Sequence, residues 1–168
     1  QKPGNQVIPQ NSQRNKSNQL SESINSNKSF LGNCINSTKE KIDDLKFKQL
    51  HLFHMWPKDS VVFCRANKIR IVKEFCSNSG RKTDEYRDMC NTSIDIDIRF
   101  SKIINFLENF PSGHAAKILG TNLKYEYEKS LADYQSENFT APMFLIRENI
   151  DRETSFLQVL EDSLKAIQ

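Results

Sequence analysis

Apolar residues recur at helical spacing along most of this chain, and the phase of that spacing divides it into elements. Ile42, Leu45, Leu52, Met55 and Trp56 share one helical face. Asn36-Ser37-Thr38 offers N-cap oxygens ahead of it, and Glu40, Asp43 and Asp44 suit a helix N-terminus. Pro57 is expected to end this helix, because a proline inside a helix removes a hydrogen bond and crowds the preceding turn. Asp59-Ser60 caps the next, whose buried side is read as Val62, Ile69, Val72, Phe75 and Cys76. Ser77-Asn78-Ser79-Gly80 is its stop signal. Thr83 with Tyr86 makes an imperfect capping box, while Asp84 and Glu85 favour a short helix through Cys90.

The stretch Ser93-Ile-Asp-Ile-Asp-Ile-Arg-Phe100 alternates strictly and reads locally as a strand. A lone strand has no partner for its backbone groups, however. Phe100, Ile103, Ile104, Leu107 and Phe110 continue at helical period, so the segment is assigned to a helix that Pro111-Ser112-Gly113 closes. Residues 114–140 carry weaker helical patterns, interrupted near Gly120 and Asn138. Met143, Ile146, Ile150, Leu157, Leu160, Leu164 and Ile167 then follow a 3-4 repeat. Core packing within the domain is the expected use of that repeat, with a coiled-coil seam as the alternative.

Residues 1–33 are mostly Asn, Gln, Ser and Lys with scattered apolar positions, too few to offset the entropy of ordering them. The expectation is an all-α protein: a disordered polar tail over 1–33 and one compact bundle of five to seven helices over 34–168.

Cys34, Cys64, Cys76 and Cys90 are the only cysteines. Cys64 and Cys76 lie on one expected helix, where twelve residues span about 18 Å, beyond the roughly 7 Å that a disulfide bridges. With the first two helices antiparallel, Cys76 returns beside Cys34, and the third helix brings Cys90 towards Cys64. The expected bonds are therefore Cys34–Cys76 and Cys64–Cys90. An even cysteine count without a C-x-x-C pair favours an oxidising compartment. Sequons at Asn15, Asn27, Asn36, Asn91 and Asn138 add to that reading; Asn36, Asn91 and Asn138 are the expected glycosylation sites. The chain is expected to be secreted and extracellular, and it has no apolar run of the length that spans a membrane.

The net charge of +3 is unevenly spread: residues 39–82 hold eleven Lys or Arg against five acids, and residues 83–168 hold nine against fifteen. Two halves lying together neutralise each other; alternatively the basic half faces an anionic polymer. Arg65, Lys68, Arg70 and Lys73 form the densest basic run and the candidate macromolecule-binding face, with Arg81 and Lys82 nearby. Its partner is expected to be an extracellular protein or a sulfated polysaccharide. Nucleic acid is disfavoured by the export signals and the modest charge.

Catalytic and cofactor chemistry finds little support. His51 and His54 sit one helical turn apart with no evident third ligand, and cysteine gaps of 29, 11 and 13 residues match no zinc-finger spacing. Ser112-Gly113-His114 lacks the nucleophile-elbow pattern. Asp95 and Asp97, two apart on a helix, point to different faces. No enzyme, cofactor or metal is expected. The phenylalanines Phe47, Phe53, Phe63, Phe75, Phe100, Phe106 and Phe110 either fill a solid core or line a pocket for a small molecule.

The segments Cys34-Ile-Asn-Ser-Thr-Lys-Glu-Lys-Ile-Asp-Asp-Leu45, Phe63-Cys64-Arg65-Ala66, Lys73-Glu74-Phe75-Cys76 and Tyr86-Arg87-Asp88-Met89-Cys90 resemble, in layout and cysteine order, the C-terminal domain of the aegyptin-like salivary antigen family of blood-feeding flies. The resemblance covers roughly residues 34–168. It implies a secreted salivary antihaemostatic protein that binds collagen and blocks platelet adhesion. Insect odorant-binding proteins are also stapled helical domains, but their C-x-x-x-C spacing is missing here. The leading expectation is thus a secreted, monomeric, non-enzymatic binding protein acting on collagen or another host macromolecule. The alternative is a secreted helical carrier of a small apolar ligand. A third class is a self-assembling protein that uses the final helix.

Overall fold

The computed structural model describes residues 10–78 and 84–168. Among these residues every regular element is helical: α1 Gln10–Asn78, α2 Asp84–Cys90, α3 Ile96–Glu108, α4 Ala115–Gln135 and α5 Ala141–Ala166. A π-helical turn, Ser136–Thr140, joins α4 to α5 without a break. The all-α class expected from the periodicity is present. Counted as uninterrupted helices there are four among the described residues, fewer than the five to seven expected.

Three expected breaks are absent, and α4 runs without interruption through one of them, Gly120. Pro57 lies inside α1 instead of ending it. An internal proline costs about 3 kcal/mol, and an aromatic cluster around it offsets that cost. Phe53 meets Phe139 edge to face at 5.9 Å, and Trp56 stacks on Tyr134 at 5.8 Å and on Phe139 at 5.1 Å. Phe63 stacks on Tyr134 at 3.9 Å. Near Asn138 the helix is not broken but widened by the π turn. There the Asn138 side-chain amide donates to the Tyr134 carbonyl at 3.0 Å.

α1 begins at Gln10, inside the segment 1–33 expected to be a tail. Residues 10–33 are helical, although residues 15–27 are all exposed and contribute nothing to a core. Residues 1–9 lie outside the described part, as do Ser79, Gly80, Arg81, Lys82 and Thr83, which carried the helix stop, two basic positions and the capping box.

The chain divides into two units, one gathering the chain up to Gln49 with Leu145–Gln168, the other Leu50–Phe144. In the first, Ile35, Thr38 and Ile42 are buried on α1 and Leu160 on α5. Thr38 satisfies its buried hydroxyl by donating to the Cys34 carbonyl at 2.8 Å. Leu45 and Gln49 extend the α1 stripe, and Ile146, Ile150, Leu157, Leu164 and Ile167 are half-buried along α5. The 3-4 repeat of α5 is therefore used within the chain.

The second unit has its core at Ile71, Val72, Met89, Ile96, Phe100, Ile103, Ile104 and Leu107. Each fully buried aliphatic side chain contributes about 1.5–3 kcal/mol. Of the alternating stretch that reads as a strand, residues 96–100 open α3, and Ser93, Ile94 and Asp95 lead into it. Asp95 caps it by accepting from the Asp97 N–H at 2.9 Å, and Ile96, Phe100, Ile103, Ile104 and Leu107 form its buried face. Gly113, at φ 85°, turns the chain into α4, and Gly120 is buried against α3.

Because α1 does not stop at Pro57, its inward stripe keeps one phase through Leu52, Trp56, Ser60, Phe63, Asn67 and Ile71, all buried or half-buried. Met55, Val62 and Ile69, expected inside, are exposed.

The disulfide pairing is also different. Cys76 is bonded to Cys90, with Cα atoms 5.7 Å apart, and Cys34 and Cys64 are free thiols. The expected Cys34–Cys76 and Cys64–Cys90 bonds needed a turn between the first two helices. Without it Cys34, Cys64 and Cys76 share one helix, which separates residues by about 1.5 Å each and brings no two of them within bonding reach.

Candidate functional site

The second unit contains a cleft of about 550 Å³. The end of α1 supplies Glu74, Phe75 and Asn78, α2 supplies Tyr86, the end of α3 and its following turn supply Phe106, Leu107 and Phe110, and His114, Leu119 and Leu123 come from α4 and its cap. Its wall is a continuous series of rings. Phe75 stacks on Tyr86 at 5.5 Å, Tyr86 meets Phe106 edge to face at 5.6 Å, and Phe106 meets Phe110 the same way at 5.4 Å. Phe110 then stacks on His114 at 4.7 Å. Cys76 and Cys90 tie α1 to α2 one residue beyond Phe75 and four beyond Tyr86, so the bond restrains the two helices that carry the first ring pair.

His114 has a defined orientation. Its Nδ1 accepts the Ala116 N–H at 3.0 Å, capping α4. A neutral imidazole that accepts at Nδ1 carries its proton on Nε2, so the ring presents a donor at its other nitrogen. Glu74 is the carboxylate on the wall, and Arg70 one turn before it stands 3.8 Å away. The cleft thus combines aromatic and aliphatic side chains with the polar groups of Glu74, Asn78, Tyr86 and His114.

Beside the core lies a second cluster. Lys68 pairs with Asp97 at 3.1 Å and places its ammonium 5.6 Å from the Phe100 ring and 5.7 Å from the Tyr127 ring. Burial, first, and then a hydrogen bond with Cys64 and the nearby Asp97 carboxylate push the Tyr127 hydroxyl well above the ordinary phenol range.

The four residues of the expected basic face are not brought together. Lys68 turns inward to Asp97, Arg70 pairs with Glu74 and donates to Asn67 at 3.5 Å, while Arg65 and Lys73 are exposed. Of the expected glycosylation sites, all exposed, Asn36 is on α1 and Asn138 in the π turn. Asn91 lies in the turn after α2, where its Oδ1 accepts from the Ser93 N–H at 3.0 Å and from the Ser93 hydroxyl. His51 and His54 are both exposed.

Of the phenylalanines considered, Phe75, Phe106 and Phe110 line the cleft, Phe100 is core, Phe53 and Phe63 join the aromatic cluster, and Phe47 is exposed. Sequence reasoning did not find Tyr86, Glu74 or His114 as wall residues. The four-residue spacing of Phe106, Phe110 and His114 is a visible signal for part of the wall; nothing marks Tyr86.

Among the described residues no group of three or more His, Cys, Asp or Glu is placed to hold a metal ion, and no helix is long and apolar enough to cross a membrane. Comparison with known proteins finds no family model, curated protein or solved structure that matches the chain.

Proposed function

We propose that the chain is a non-enzymatic binding protein that takes a small, apolar, ring-bearing molecule into the cleft between α1, α2, α3 and α4. The supporting observation is the unbroken series Phe75, Tyr86, Phe106, Phe110 and His114 along a cavity of about 550 Å³, inside the range of roughly 300–1,000 Å³ usual for such sites. Export belongs to this reading and is supported by the Cys76–Cys90 bond and the exposed Asn91 sequon. The test is displacement of the fluorescent apolar dye N-phenylnaphthylamine, with native mass spectrometry of the intact chain for a co-purified ligand. Dye bound by the natural chain and lost at least about tenfold in Leu119→Glu supports the cleft. Dye affinity unchanged in that variant removes it.

The second reading is the one implied by the aegyptin-like resemblance: a secreted salivary antihaemostatic factor on collagen or a sulfated polysaccharide. Exposure of Arg65 and Lys73 on α1 favours it. Binding to immobilised collagen or heparin that falls in an Arg65→Glu/Lys73→Glu variant supports this reading; no binding to either surface rejects it.

A further inference from the structure

A second regular stripe runs along the outer side of α1. Met55, Val62 and Ile69 stand seven residues apart, and His51, Lys58, Arg65 and Lys73 fall between and beside them. At 3.6 residues per turn these seven positions occupy an arc of about 80°. All seven are exposed, Val62 at 67% and Ile69 at 44%. Between His51 and Lys73 no Asp or Glu falls within the arc, the nearest, Asp59, lying outside it; the acids of α1 that do enter it, Asp44 first, precede His51. Lys68 and Arg70 leave the stripe on opposite sides, each towards an acid of its own.

We propose that this stripe is a docking surface for an acidic amphipathic helix of a partner protein. The seven-residue recurrence of apolar side chains with cations one turn on is half of a two-helix seam. The half that fits presents apolar residues at the same period and Glu or Asp against Lys58, Arg65 and Lys73. From Met55 to Lys73 the seam is about 27 Å long, five turns of partner helix. Two other occupants fit less well. A membrane-surface helix keeps its cations at the edges of a broad apolar face, whereas here they interrupt the apolar line. A second copy of the same stripe would set cation against cation.

The test measures binding of the full chain to a three-heptad helical peptide with a leucine seam flanked by glutamates, and to its lysine-flanked counterpart. Dextran sulfate and phosphatidylserine vesicles are run alongside. The acidic peptide is expected to bind at least about tenfold tighter than the basic one and to weaken as salt rises. The same loss is expected in Val62→Ser/Ile69→Ser, which keeps every charge, with helicity and the Cys76–Cys90 bond retained. Equal binding of the two peptides, or an acidic peptide indifferent to Val62→Ser/Ile69→Ser, overturns the proposal. So does binding to dextran sulfate or vesicles that exceeds binding to the acidic peptide. Concentration-dependent sedimentation of the chain alone, abolished by the serine pair, would assign the stripe to self-association and overturn it equally.

Discussion

Gly120 of α4 faces Leu107 of α3 so closely that a Cβ on Gly120 would stand 2.7 Å from the Leu107 Cβ. The obstructing atom is fixed to the Leu107 backbone and has no rotamer by which to move away. Gly120→Ala would gain about 1 kcal/mol in helix propensity but forces the two helices apart, a strain of about 1–3 kcal/mol. The expected outcome is a lower melting temperature in thermal unfolding followed by circular dichroism. A higher one would mean that α3 and α4 do not cross at this point.

Cys76–Cys90 closes a loop across a sequence separation of 14. A loop of that size stabilises by about 3 kcal/mol in the chain-entropy account. Cys76→Ser/Cys90→Ser is therefore expected to unfold at lower denaturant by that amount. In the natural chain, alkylation without reduction should label Cys34 and Cys64 and spare the other two. A peptide map linking Cys34 to Cys76 would contradict the continuous α1.

Tyr127 predicts a specific alkaline behaviour. Its pKa is raised in the folded state above the ordinary 10.0, first through burial and then through its hydrogen bond with Cys64. The folded chain thus holds this proton after the unfolded chain has released it. The associated stability is fully present below pH 10 and declines as pH rises above it. Spectrophotometric titration should show one of the four tyrosines ionising late. Tyr127→Phe should abolish the late step.

Lys68 and Arg65, three residues apart, are expected to respond differently to charge reversal. Lys68→Glu sets a carboxylate against Asp97 and the faces of Phe100 and Tyr127, removing a cation–π contact worth about 0.5–2 kcal/mol and a partly exposed ion pair worth less than about 1 kcal/mol. Arg65→Glu, at an exposed site, should stay within about 0.5 kcal/mol. Equal denaturant midpoints for the two variants would reject the inward placement of Lys68.

The helical class was legible because apolar spacing survives in α3 and α5, and α3 could be read through its misleading alternation once no partner strand was available. The phase of α1 was not legible. Its inward stripe passes through Gln49, Ser60 and Asn67, polar residues that hide a seam from any apolar template, and the Nδ2 of Asn67 is buried without a hydrogen-bond partner among the described residues. Val62 and Ile69 then drew the eye to the wrong face. Pro57 reinforced the error, since the rings that hold the helix through it come from Tyr134 and Phe139, far along the chain. The disulfide error followed from that one misplaced turn. The cleft was half visible: its phenylalanines were candidates, but Tyr86 and Glu74 join them only through tertiary packing.

The bond between Cys76 and Cys90 also gives the chain two covalent routes from α1 to α2. A protease that cuts any single peptide bond between those cysteines leaves both pieces joined through sulfur, so the core residues contributed by α1 and those contributed by α2 and α3 remain parts of one molecule. A cut anywhere else divides the chain. Covalent retention of both pieces after a single break is thereby confined to the chain between Cys76 and Cys90, which links the helix carrying Phe75 to the helix carrying Tyr86.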